Sequence, residues 1–137
     1  MTRTLVRTAC ILVLSCAATV AIAHHNGNLY FDGEITVEFE NATVVSMVMV
    51  NPHSRLEFTI ENDNGELEEW SAETQSQNAL RRKGIHPGLV KAGDVVTVIG
   101  NPSRKGTAYI RMRQLILPNG DKVTFYGSGP AITPASS

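Results

Sequence analysis

Hydrophobic and polar positions alternate with period two along much of this chain, and that alternation predicts strands. Ile35, Val37 and Phe39 alternate with Thr36, Glu38 and Glu40, the signature of a half-buried strand. Asn41-Ala42 interrupts the alternation, and Val44 to Val50 continues it with apolar residues on both faces. One long, bent first strand with a bulge near Asn41 accounts for both parts. Leu56, Phe58 and Ile60 then alternate with Arg55, Glu57, Thr59 and Glu61, and Asp63-Asn64-Gly65 behind them predicts a hairpin. The third strand runs from Glu66 to Thr74 and carries the single tryptophan, Trp70.

The period changes after Thr74. Ser76 is placed as a helix N-cap ahead of Asn78-Ala79-Leu80-Arg81-Arg82-Lys83, and Gly84 as the stop. Basic residues in the last turn suit the negative end of the helix dipole. Strands return at Val95 to Gly100, Tyr109 to Leu117 and Lys122 to Tyr126, separated by Asn101 to Gly106 and by the Pro118-Asn119-Gly120 turn. From Gly127 onward, Gly, Pro, Ala and Ser dominate, a composition that predicts a disordered tail.

Three strands, a short helix, two strands and an addition is the element order of an OB-fold. The expectation is therefore a mostly all-β chain: a five- to six-stranded Greek-key barrel over residues 34–126 with one helix between strands three and four. Residues 24–33 read as a polar lead-in.

The start of the chain changes the picture of compartment. Arg3 and Arg7, an apolar run from Ala9 to Val20 and the small-x-small triplet Ala21-Ile22-Ala23 compose a secretory signal peptide. Its apolar part is shorter than the ~20 residues that span a bilayer. A soluble mature protein beginning at His24, in the periplasm or secreted, follows. Val13-Leu14-Ser15-Cys16 also resembles a lipoprotein box, so lipidation at Cys16 is the alternative, although it would cut the apolar region short. Cys10 and Cys16 are the only cysteines, so cleavage after Ala23 leaves no thiol chemistry in the mature chain.

Without its 23-residue leader, the 137-residue chain retains 114 residues, ten of them basic against 13 acidic, a net charge of −3. That length suits one domain. A mildly acidic, exported protein is not the profile of a nucleic-acid binder.

Candidate chemistry centres on Asn51-Pro52-His53-Ser54, the corner between the first two strands, since rigidly held loops are where sites concentrate. Pro52 and Asn51 give the corner a full structural explanation through turn chemistry, and His53 is the residue in it with acid–base or ligand capacity. Counting strand directions predicts that this corner, the start of the helix (Thr74 to Asn78) and the loop Asn101 to Gly106 share one end of the barrel. Asn51, His53, Glu73, Asn78 and Arg104 are then a candidate binding set for a small polar ligand, a glycan or a protein partner.

His24 and His25 form a second candidate. At a free amino terminus the amine and imidazole chelate together, and a second imidazole suits copper or zinc, with His53 as a further donor. Enzyme signatures are missing: Glu73 has no second carboxylate at glycosidase spacing, Ser54 and Ser76 lack a nucleophile setting, and no phosphate loop or dinucleotide fingerprint occurs.

The ordered set Asn51-Pro52-His53, Trp70-x-x-Glu73, Asn78-x-Leu80-Arg81-Arg82-x-Gly84, Gly93-Asp94-x-Val96-x-Val98 and Gly100-x-Pro102-x-Arg104-x-Gly106 resembles a family of small exported bacterial proteins, the domain of unknown function 6152. The junction Ala23-His24-His25 matches as well, and the resemblance runs from His24 to about Phe125. It implies an exported single-domain barrel without an established activity. Two positions depart from the family pattern: Met49 stands where a tryptophan is frequent, and Arg55 where an aromatic or aliphatic residue is frequent.

Overall fold

The computed structural model describes residues 27–135. They fall into two units divided between Tyr30 and Phe31. Of the first, Gly27–Leu29 form a 3₁₀ turn closed by the Tyr30 amide on the Gly27 carbonyl at 3.2 Å. The second holds the barrel. Its strands are β1 (Val37–Val48), β2 (Arg55–Glu61), β3 (Leu67–Glu73), β4 (Val95–Pro102), β5 (Tyr109–Ile116), β6 (Lys122–Thr124) and β7 (Ile132–Thr133), with helix α1 (Gln77–Arg82) between β3 and β4.

β1 is central. It pairs antiparallel with β2 on one side and with β4 on the other, β2 pairs with β3, and β4 with β5. A parallel pairing of β3 with β5 closes the ring. This is a closed five-stranded barrel with one helix between its third and fourth strands, the expected OB-fold order.

Bulges make the closure possible. Val37 and Phe39 pack against the core, and then Ala42 and Val44 do, so the inward parity changes across Asn41. Asn41 takes a left-handed φ of 56°, and the β1–β4 register slips between Phe39 and Ala42, as the broken alternation predicts. A second slip falls between Val44 and Ser46 on the β2 side, after which Met47 and Met49 face the core. The run of apolar residues on both faces is the trace of that second bulge, which pattern reading alone does not resolve.

α1 plugs one end of the barrel. Ser76 Oγ accepts the Ala79 amide at 3.3 Å as N-cap, Gly84 at φ 77° provides the left-handed stop, and Leu80 is fully buried. Burial of one leucine contributes about 1.5–3 kcal/mol, several times what six helical residues gain from propensity.

Gly100 has a different duty. Its φ is not left-handed, so the constraint is space: a Cβ there would fall inside the contact radius of the Arg111 carbonyl oxygen and lie 3.1 Å from Ile110 Cδ1. The β4–β5 register shifts at this point, between Ile99 and Gly100.

The predicted β2–β3 hairpin forms, and the expectation for the tail needs correction. In the β2–β3 hairpin only Gly65 has a positive φ (78°); Asn64 does not, because Asn62 Oδ1 accepts the amides of Asn64 and Glu66 at 3.0 Å each and shapes the turn through its side chain. The tail expected to be disordered from Gly127 contributes β7, paired to β6 through Val123↔Ile132 and Lys122↔Thr133. Backbone pairing on the open edge of a three-residue strand gives this low-hydrophobicity segment its place, since an unpaired strand edge offers ready donors and acceptors. Among the described residues no helix is long and apolar enough to cross a membrane.

Candidate functional site

The corner after β1 is tied to the start of α1 by backbone bonds. The Gln77 amide donates to the Val50 carbonyl at 2.9 Å, the Ser54 amide to Gln75 at 3.0 Å, and the Thr74 amide to Ser54 at 2.8 Å. Asn51 Oδ1 accepts the Asn78 amide at 3.4 Å. The Asn51–Pro52 peptide is cis, and Ser54 is fully buried. Asn51 and Asn78 therefore meet as expected, but through the backbone of Asn78, and their contact shapes the corner.

His53 is left facing outward, its side chain 56% exposed, with Nδ1 3.2 Å from Glu73 Oε2. Glu73 ends β3 and is mostly covered, its side chain 16% exposed. Trp70 lies on the other face of β3. Its ring meets Phe39 at a tilt, 4.5 Å between centroids, and packs on the core beside Ala72, away from Glu73.

Glu73 has a second partner that sequence reasoning misses. The Tyr109 hydroxyl donates to Glu73 Oε2 at 2.5 Å. A hydrogen bond to a charged acceptor contributes about 1.5–3 kcal/mol, which offsets the desolvation of a covered carboxylate. Burial pushes the Tyr109 phenol up to about 12, with the Glu73 bond and charge adding to it and Arg55 opposing. Tyr109 is thus a proton donor throughout the physiological range.

Barrel closure sets the rest of this surface. In register across the sheet, Arg55 of β2 faces Glu73 of β3, and Glu73 faces Arg111 of β5. One carboxylate thereby lies between two guanidinium-bearing positions, with His53 and Tyr109 on the same oxygen. The Arg111 guanidinium sits 4.8 Å from the ring centre of buried Phe31, and Phe31 packs on Tyr109 at 5.6 Å. Arg113 repeats the arrangement on Tyr126 at 4.8 Å, whose phenol is also raised, mainly by burial. Beside His53 is a recess of about 290 Å³ lined by Val48, Val50, His53, Arg55 and Glu57.

Arg104 lies elsewhere. Its guanidinium contacts Asp32 at 3.3 and 3.5 Å. The shared-end expectation fails for the loop that carries it: Gly100 pairs with Val37 at the beginning of β1, whereas Arg55 pairs with Val48 at its end. β4 runs antiparallel to β1, so its last residues return to where β1 starts. The stagger of the closed barrel still brings the first residue after that loop region, Tyr109, alongside Ser71 of β3.

The only local hint of the missed residues is the alternation Tyr109-x-Arg111-x-Arg113 against buried Ile110 and Met112. It shows an outward polar stripe on β5, but not which strand it meets. Among the described residues no group of three or more His, Cys, Asp or Glu side chains is placed to hold a metal ion. His24 and His25 lie outside the described residues, as does the whole expected leader. His86 is exposed in its turn.

The chain belongs to the family described as Family of unknown function (DUF6152), whose family model matches residues 11–112. That span contains His53, Arg55, Glu73, Tyr109 and Arg111, and stops short of β6 and β7. No curated protein matches the chain, and no solved structure does.

Proposed function

We propose that this protein is an exported, periplasmic, non-enzymatic binding module that receives its ligand at the His53 corner. The observation that carries the reading is the His53–Glu73–Tyr109 set: an exposed imidazole whose Nδ1 is held at 3.2 Å by a mostly covered carboxylate, itself fixed by a phenol at 2.5 Å. A carboxylate that orients one ring nitrogen leaves the other, Nε2, for an incoming group. The corner is also stiff, because backbone bonds lock it onto α1. A preformed site loses little ordering entropy on binding.

Binding is favoured over catalysis by the chemistry of the set. One imidazole backed by one carboxylate is half of a nucleophile-activating arrangement: the adjacent Ser54 is buried with its hydroxyl on the Val50 carbonyl, and Glu57 across the recess accepts the Ser71 hydroxyl. The recess next to it is open and small, about 290 Å³, near the lower bound for small-molecule sites.

The reading is tested by amide NMR titration of the processed protein with a panel of neutral sugars, amino acids, organic acids and amines. Saturable shifts confined to Val48, Val50, His53 and Arg55, and lost in His53→Ala, are the expected result. Shifts elsewhere on the barrel with this corner silent would sink it. Export is tested separately by sequencing the amino terminus of the protein recovered from the periplasm: His24 is expected, and a retained leader would refute the compartment.

A further inference from the structure

Resting on the binding-module reading, we infer that the ligand is a small organic monoanion: its charged end on Arg55 and His53, its apolar body on Val48 and Val50. The recess mixes two kinds of wall. Val48 and Val50 are 51% and 44% exposed, two aliphatic surfaces side by side at the end of a strand whose other apolar residues mostly face the core. The opposite lining is His53, Arg55 and Glu57.

The carboxylates near this recess are already engaged. Glu73 takes the Tyr109 hydroxyl and faces His53, and Glu57 accepts the Ser71 hydroxyl at 3.1 Å. Arg55 also bonds the Tyr109 hydroxyl, but its guanidinium has donors to spare. Its Nε lies 3.7 Å from Glu57 with 58% of the side chain exposed, a loose surface pair of the kind that contributes little. A guanidinium carries five N–H donors in a planar fork matched to a carboxylate.

Arg111 adds to the field from the far side of Glu73. Its guanidinium carbon lies 4.8 Å from the centre of the Phe31 ring, within cation–π range. Two guanidinium positions thus flank one carboxylate across three strands, in a chain with 13 acidic and 12 basic residues overall. Glu57 at the rim disfavours a second negative charge on the ligand, since like charges in a small site repel. The recess therefore selects an anion with one charge and a short aliphatic body, such as a short-chain carboxylate.

Hexanoate, hexylamine and inorganic phosphate, each titrated into the full processed protein and followed by amide NMR, test this directly. Hexanoate is expected to give saturable shifts at Val48, Val50, His53 and Arg55. Arg55→Ala should weaken it by about tenfold or more, while Arg82→Ala on the exposed end of α1 leaves it unchanged. Phosphate binding as tightly as hexanoate would overturn the role of the valines, and with it the proposal. Hexylamine binding as tightly would overturn the charge assignment. A neutral sugar shifting the same four residues while hexanoate does not would overturn the anion and leave the binding module standing.

Discussion

Replacing Gly100 by alanine adds one methyl group, and the barrel has no room for it. The new Cβ would overlap the Arg111 carbonyl oxygen and press on Ile110 Cδ1 at 3.1 Å. A side chain can rotate away from such a contact, but a backbone carbonyl inside a strand ladder cannot. β4 and β5 must separate locally, where Gly100 pairs with Met112 and Asn101 with Arg111. Overpacking of a tight interior costs about 1–3 kcal/mol, and loss of a ladder hydrogen bond adds about 1 kcal/mol. A loss near 3 kcal/mol is expected, which for a domain of about 100 residues lowers Tm by about 12–24 °C. Calorimetry on wild type, Gly100→Ala and Gly129→Ala measures it. Gly129 has open space around it and no left-handed φ, so its variant should stay within about 0.5 kcal/mol of wild type. If the two variants melt together, the steric argument is wrong. Movement of β5 also shifts Arg111 and Tyr109, so Gly100→Ala should disturb the His53 corner despite lying outside it.

Other expectations are simpler to check. Tyr109→Phe should change the alkaline behaviour: the folded phenol, raised to about 12 against an ordinary 10.0, stays neutral while the unfolded one ionises. The unfolded state then binds fewer protons above pH 10, so the stability this neutral phenol contributes is complete below pH 10 and is lost as pH rises through 12. Urea denaturation at pH 9 and 11.5 should show wild type losing more stability than Tyr109→Phe; equal losses would refute the raised phenol. Leu80→Ala should cost about 2–5 kcal/mol by emptying the barrel plug, and an effect under 1 kcal/mol in the same denaturation assay would mean that α1 does not seal the core. Ser76→Ala removes the cap on the Ala79 amide and should cost about 1 kcal/mol, with a change of zero arguing against the cap.

Much of the barrel was legible along the chain because its causes are local. Alternation in β2, the break at Asn41, the Ser76 cap and the Gly84 stop each depend on a few adjacent residues, and each appears in the structure. The neighbourhood of His53 and Glu73 was also within reach, since antiparallel β2 and β3 place Arg55 opposite Glu73. Tyr109 and Arg111 were not. Their position depends on the stagger of a parallel pair that closes the ring, and stagger leaves no mark in a period-two pattern. Arg104 was misplaced for a related reason: the direction of β4 relative to β1 decides where its loop emerges, and the helix between β3 and β4 obscures the count. β7 escaped because its pairing draws on backbone groups, which are the same in every sequence.

The parallel seam between β3 and β5 has a consequence for how the protein comes together. Glu73 and Tyr109 are 36 residues apart, whereas the β2–β3 hairpin closes a short loop, and long closures cost more chain entropy before any contact rewards them. A chain with every hairpin formed but the seam still open has the His53–Glu73 pair but no carboxylate–phenol contact to fix it. A ligand that favoured the His53 corner with Glu73 fixed by Tyr109 would, by mass action, favour the sealed ring. Hydrogen exchange at the Ser71 amide, which donates across the seam to Ala108 at 3.1 Å, therefore gauges how long the ring stays sealed.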